Sequence, residues 1–187
     1  DEVTTFTYNG ARQRTGETNP DGDQLLRSYD ASGRLTEERL VPGDGSDEVV
    51  LSSYVYALEL DDDDQPIGRR VTATDADGAT VQQVYDRGSR LIAAIDHHGR
   101  TQLFDYDSQD RLVSYTDIDG NTFLVNYEIL GNGGTRKTVS RGGEVMKITD
   151  TDALGRKVRV EQGGEQWHYL YEGAFTKVRE VVGPGYR

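Results

Sequence analysis

Cysteine is absent from the 187 residues, and proline, methionine and tryptophan are scarce at four, one and one. Without cysteine there is no disulfide framework, no thiolate metal site and no thiol nucleophile. Long hydrophobic runs are missing too, so no stretch can span a bilayer as a helix. Hydrophobic residues make up only 34% and the mean hydropathy is −0.71, thin for a compact domain of this length. Positive charge is the minority, 21 Lys and Arg against 33 Asp and Glu for a net −12. The basic residues are scattered, which argues against a nucleic-acid interface or an anionic lipid surface. The chain opens Asp1-Glu2-Val3 with neither an initiator Met nor a signal peptide, as expected of a fragment or a processed product.

What is present is patterned. Eleven Tyr and 22 Gly, with recurring Thr and Val, favour many short strands joined by tight turns over helices. Tyr85, Tyr106 and Tyr127 are spaced 21 residues apart, and Tyr8 to Tyr29 repeats the interval. A Gly lies seven residues ahead of the Tyr in Gly22/Tyr29, Gly78/Tyr85, Gly99/Tyr106, Gly120/Tyr127 and Gly164/Tyr171. It often follows an acid, as in Asp21-Gly22, Asp77-Gly78 and Asp119-Gly120, and Asp-Gly between strand-like runs predicts a hairpin tip. Between Gly and Tyr the residues alternate. Phe123, Val125 and Tyr127 point one way and Thr122, Leu124 and Asn126 the other. Trp167, Tyr169 and Tyr171, and Gln102, Phe104 and Tyr106, fall on the first face, while Leu26, Leu103 and Leu124 share the second. The pattern leaves open which face meets solvent.

After each Tyr comes a second turn signal. Tyr29-Asp30-Ala31-Ser32-Gly33-Arg34-Leu35, Tyr85-Asp86-Arg87-Gly88-Ser89-Arg90-Leu91 and Tyr106-Asp107-Ser108-Gln109-Asp110-Arg111-Leu112 place an Asp where its side chain can accept from backbone N–H groups two residues on. Asp152-Ala153-Leu154-Gly155-Arg156 is a further copy with Thr151 in place of Tyr, and Tyr171-Glu172 begins a degenerate one. Each unit therefore reads strand, turn, strand, turn. A lone hairpin is marginal in water, so the units must pair edge to edge. The expected fold is all-β: tandem antiparallel β-hairpin repeats forming a continuous sheet that strand twist makes curl.

The Tyr-Asp-x-x-Gly-Arg-Leu segments resemble the repeat of the Rhs and YD-repeat proteins, and the resemblance covers nearly the whole chain. That family includes bacterial Rhs effectors, the B and C components of insecticidal toxin complexes and teneurin ectodomains. The resemblance implies a hollow β-shell, which in bacterial members encloses a C-terminal toxin, and a secreted or cell-surface location in an effector or toxin setting. It also implies partners: the remaining repeats of the shell, or other copies joined through edge strands, and an enclosed toxin cargo. The family's shells use many more repeats than the about seven to eight found in residues 1–187, so the chain is expected to be a segment of a wall and not an enzyme. The Asp-Pro-x-Gly self-cleavage signature of bacterial shells is not matched, because Gly183-Pro184-Gly185 has no Asp before its Pro.

The repeat is disturbed between Leu40 and Gly78, where lengthened hairpin loops are expected near 41–53 and 58–68, with another near 130–135. The chain otherwise reads as one repeat region.

Candidate chemistry is thin. Asp61-Asp62-Asp63-Asp64 lacks the spacing of an EF-type calcium loop, and Asp150-Thr151-Asp152-Ala153-Leu154-Gly155 lacks the third ligand, so both are expected to be solvated turns. His97 and His98 would face opposite sides of a strand and chelate poorly, and they stand before Gly99 where other units carry turn residues. His168 has no partner constellation. Tyr29, Tyr85, Tyr106 and Tyr127 could form a sugar-stacking platform, the basis of an alternative reading as an adhesive, glycan-binding module. At strict repeat spacing an aromatic ladder packing one repeat on the next is the better expectation. No catalytic, cofactor-binding or metal-ligating residue is assigned.

Overall fold

The computed structural model describes residues 3–173 and 178–183, so the Gly183-Pro184-Gly185 motif falls partly outside the described residues. The described chain is all-β, with sixteen strands in chain order. Two compact units divide it, residues 1–101 and 102–187.

In the first unit the strands are β1 (Thr5–Tyr8), β2 (Arg14–Thr18), β3 (Gln24–Tyr29), β4 (Leu35–Val41), β5 (Val49–Leu60), β6 (Pro66–Asp75), β7 (Thr80–Asp86) and β8 (Leu91–Ile95). Each pairs antiparallel with the next. The second unit repeats the arrangement with β9 (Thr101–Tyr106), β10 (Leu112–Thr116), β11 (Thr122–Ile129), β12 (Thr135–Arg141), β13 (Glu144–Thr151), β14 (Lys157–Gln162), β15 (Glu165–Tyr171) and β16 (Val178–Val182). Again each strand pairs with its successor.

The extra residues between Leu40 and Gly78 are distributed differently from the sequence expectation. Residues 42–48 do form a longer connection, but 49–53 belong to β5. The acidic run Asp61–Asp64 sits in a turn of ordinary five-residue length. The insertion has gone into the strands instead, twelve residues in β5 and ten in β6. Leu130–Gly134 is likewise a turn of the common length. A longer strand pair adds ladder bonds, whereas a longer loop only adds chain entropy to be lost.

Alternation along the strands separates two faces, and the structure answers which is more covered. On β11, Phe123 and Tyr127 are half-buried and Val125 is buried, while Leu124 and Asn126 are exposed. The row continues across the second unit as Val125 opposite Val139 and Val160 opposite Trp167. In the first unit the Tyr face carries Leu25, Arg27 and Tyr29, and Leu26 on the opposite face is exposed. Leu103 and Leu124 are 48% and 53% exposed, so the leucine face is the open one. Among the described residues the buried hydrophobics are Val84, Val125 and Val160. With so little core, cohesion comes from hydrogen-bonded ladders, from cross-strand pairs such as Tyr115 stacked on Phe123 at 4.6 Å, and from the turns.

Candidate functional site

The feature that recurs with the repeat is a five-residue turn. In Asp30–Arg34 the Asp30 N–H donates to the Arg34 carbonyl and the Gly33 N–H donates to the Asp30 carbonyl, both at 2.9 Å. The same pair of bonds closes Asn9–Gln13, Asn19–Asp23, Asp61–Gln65, Asp75–Ala79, Asp86–Arg90, Asp96–Arg100, Asp107–Arg111, Asp117–Asn121, Leu130–Gly134 and Asp152–Arg156. This is a type I turn followed by a left-handed residue and a bulge, the three-residue hairpin loop, and not the two-residue loop that Asp-Gly alone would signal. The fourth position takes Gly in most copies, as with Gly33 at φ 78°; Ser89 and Asp110 occupy it at φ 64° and 60°. The register shifts beside the residue before the turn, the repeat Tyr at Tyr8, Tyr29 and Tyr85, and the extra residue lies on the returning strand, as Thr15, Thr36 and Ile92.

The recurring geometry explains the Asp. Asp30 Oδ1 accepts from the backbone N–H of Ser32 and of Arg34, each at 2.9 Å, while Oδ2 takes the Arg34 Nε at 2.7 Å. Asp96, Asp107 and Asp152 repeat all three bonds. One carboxylate thus pins two turn amides and fixes the guanidinium of the closing Arg.

The Arg then faces outward to the next hairpin. Arg34 lies over the Tyr56 ring at 4.2 Å, Arg111 over Tyr127 at 4.7 Å and Arg156 over Tyr171 at 4.7 Å. The Tyr hydroxyl completes the joint by donating to the carbonyl of the residue after the turn: Tyr29 to Arg14, Tyr56 to Leu35 and Tyr171 to Lys157. Rung-to-rung packing therefore runs ring to guanidinium in these copies, where the sequence suggested ring to ring. A cation between acidic turns and π faces neutralises the carboxylate, which an unbroken stack of rings could not do.

Departures from the motif come in matched pairs. Gln65 closes the turn ahead of Tyr85, and Arg69 of the adjacent strand covers that ring at 4.8 Å instead. Gly134 closes the turn that faces Thr151, and the small Thr151 hydroxyl still donates to the Thr135 carbonyl at 3.2 Å. Arg and Tyr have shrunk together there, and a Cβ on Gly134 would lie 2.0 Å from the Thr151 carbonyl oxygen.

The acids titrate accordingly. The backbone N–H and then the guanidinium of the closing Arg hold Asp30 and Asp107 below the ordinary 3.8; in Asp152 the guanidinium leads. For Asp96, desolvation opposes ionisation, but the side chain and N–H of Arg100 and the N–H of His98 outweigh it and bring the value to about 2. Folded values below unfolded ones mean that these carboxylates stabilise the fold fully above about pH 5, and that the contribution is lost as pH falls through 3.8 toward the folded values. Acid titration followed by far-UV circular dichroism should show unfolding between about pH 4 and 2. Asp107→Asn should flatten that response, and a transition centred above pH 5 would contradict the assignment.

The remaining candidate residues fall elsewhere. Asp61 anchors its own turn, accepting from the N–H of Asp63 and Gln65. His97 and His98 occupy the middle of the Asp96–Arg100 turn with ring centroids 3.8 Å apart. The expectation that they diverge, drawn from strand alternation, fails because a turn has no such alternation. His97 borders a hollow of about 340 Å³ with Tyr54 and Asp75, whose Oδ1 is already taken by the N–H of Asp77 and Ala79. His168 is exposed on β15 opposite Arg159. No group of three His, Asp or Glu suited to a metal ion occurs among the described residues.

Asp150 was expected in a solvated turn, and this is corrected. It lies on β13, only 5% exposed, with Arg136 Nε and Nη2 at 2.8 and 2.9 Å and Arg159 Nη1 at 3.2 Å; Arg159 also bonds Glu161. The Arg136 side chain above all holds its carboxyl below the usual range.

The RHS Repeat family model matches residues 85–122, which include Tyr85-Asp86 and Tyr106-Asp107 and the turns they begin. Residues 85–122 thus match an Rhs repeat, and the same turn geometry recurs on either side of the matched stretch. No curated protein matches the chain. Among solved structures the fold is similar to TcdB2-TccC3-Cdc42 (16% identity, TM-score 0.59) and TcdB2-TccC3 (15%, 0.59). It is also similar to the Tc holotoxin pore of Photorhabdus luminescens (16%, 0.60). In each case 96% of this chain is covered and 10% of the other, so the chain spans about a tenth of those proteins.

Proposed function

We propose, for a chain whose residues 85–122 match an Rhs repeat, that it is a segment of a secreted or effector-type shell wall that encloses or presents a toxin cargo and does no chemistry itself. The observation that carries the reading is the repeated joint. In the turns closed by Arg34, Arg111 and Arg156 the Asp serves its own closure and the Arg covers a ring of the next hairpin, so these recurring residues are consumed in holding the sheet together. A wall needs this sideways cohesion and little else. The fold it shares with the Tc components supports the same reading, since one of those structures is named with a third protein, Cdc42, beside TcdB2 and TccC3.

Less supports the glycan-binding alternative. Sugar rings stack on open aromatic faces, and two of its platform tyrosines, Tyr85 and Tyr127, already carry a guanidinium.

Limited proteolysis of the parent polypeptide tests the proposal. A dissimilar domain that survives digestion while the repeats are intact, and is degraded once they are unfolded, is the expected result. Degradation of that domain at the same rate in both states would refute enclosure.

A further inference from the structure

We infer that the hollow beside the Asp75–Ala79 turn is a seat for a guanidinium brought by another polypeptide, an arginine side chain that occupies the place the turn's own closing residue leaves vacant.

The turn has the geometry of its counterparts. The Asp75 N–H donates to the Ala79 carbonyl at 3.0 Å and the Gly78 N–H to the Asp75 carbonyl at 3.1 Å. Asp75 Oδ1 accepts from the N–H of Asp77 and Ala79 at 3.1 and 2.9 Å. In Asp30, Asp96, Asp107 and Asp152 the second oxygen takes an arginine Nε at 2.7 to 2.8 Å. Ala79 has no donor to offer, and Asp75 Oδ2 has neither a hydrogen bond nor an ion pair among the described residues. Other turns without the arginine fill the place themselves: Asn121 Nδ2 donates to Asp117 Oδ2, and Asn19 Nδ2 to Asp23 Oδ2, both at 3.0 Å.

The space for the missing side chain has not closed up. The hollow of about 340 Å³ is lined by Asp75, Ala79, Val81, Tyr54, Ser52 and His97. Its size is at the low end for a ligand site, about 300–1,000 Å³, which suits one side chain and not a folded partner. Ala79 and Val81 offer apolar surface to a methylene stem, and Asp75 offers a carboxylate to the charged head. Tyr54 adds an aromatic ring with no cation over it among the described residues, whereas Tyr56, Tyr127 and Tyr171 each carry a guanidinium. A planar, weakly hydrated guanidinium meets a ring and a carboxylate together better than an ammonium does. The arginine of the turn that carries His97 is not available, because Arg100 is held by its own Asp96 at 2.7 Å. A net charge of −12 draws cationic segments toward the chain.

The test is a titration of the 187-residue chain with an acetylated, amidated Gly-Gly-Arg-Gly-Gly peptide, followed by nuclear magnetic resonance. Saturable shifts of the Tyr54 and His97 ring protons and of the Ala79 amide are expected at millimolar peptide, with none when citrulline, the neutral isostere, replaces arginine. Asp75→Asn should weaken binding about tenfold, the worth of a hydrogen bond to a charged group. It should leave the turn closed, since Asn9 accepts the same two backbone bonds in its own turn. Asp61→Asn, at a turn closed by Gln65, is the control and should leave the affinity unchanged. Ala79→Arg supplies the guanidinium from within, so it should raise the thermal midpoint and abolish peptide binding. Absence of shifts with the arginine peptide, equal shifts with the citrulline peptide, or an affinity indifferent to Asp75→Asn would overturn the inference. A folded Ala79→Arg variant that binds the peptide as the parent does would overturn it too. The seat rests on the turn geometry and not on the shell reading, which the proteolysis result decides separately.

Discussion

Gly68→Ala should destabilise the fold by about 3 kcal/mol or more, at the upper end of what overpacking a single site costs. A Cβ at Gly68 would stand 1.8 Å from the Tyr85 carbonyl oxygen and 2.8 Å from its carbonyl carbon. Both are backbone atoms, so no rotamer change relieves the clash. β6 must part from β7 at the place where Gly68 pairs with Asp86, the acid that opens the next turn. Gly134→Ala meets the Thr151 carbonyl at 2.0 Å and should behave alike. Gly10→Ala and Gly131→Ala meet nothing within 4 Å and are the controls, expected to be near neutral. Urea denaturation monitored by Trp167 fluorescence ranks the four, and equal midpoints for Gly68→Ala and Gly10→Ala would show that the strands yield freely.

Asp150→Ala should cost about 2–3 kcal/mol, below the usual figure for breaking a buried pair because both arginines reach solvent. The substitution removes the carboxylate on which Arg136 and Arg159 converge and leaves Arg159 only Glu161. Arg136→Ala should cost less, since Asp150 keeps Arg159 and Arg159 keeps Glu161. A double substitution of Asp150 and Arg136 that costs less than the two singles summed would confirm that they act as one unit. Strict additivity would remove the network.

The local motif was the most legible part of this chain. An Asp followed by Gly and Arg at fixed offsets states its own hydrogen bonds, because every atom involved lies within five residues; Asp30 and Arg34 follow this rule. Strand alternation was equally plain at Phe123, Val125 and Tyr127. What failed depended on who stands opposite whom. Asp150 is two residues from a turn anchor and looked like part of it, and only the pairing of β13 with β12 and β14 brings Arg136 and Arg159 to it. Gly68 and Gly134 gave no signal, since their need for a missing side chain arises from a carbonyl some seventeen residues away. The guanidinium between rungs was hidden for the same reason: Arg34 and Tyr56 become neighbours only once the register of three strands is known.

Within each unit every described strand is bonded to the one made just before it. Such a topology has short loops to close and never requires a segment to wait for a distant mate, so the entropy lost at each step is small. A long polypeptide organised this way can assemble as it leaves the ribosome or an export channel, adding one hairpin at a time to a growing front. Only that front need be unsatisfied at any moment, which limits the time during which sticky edges meet other chains.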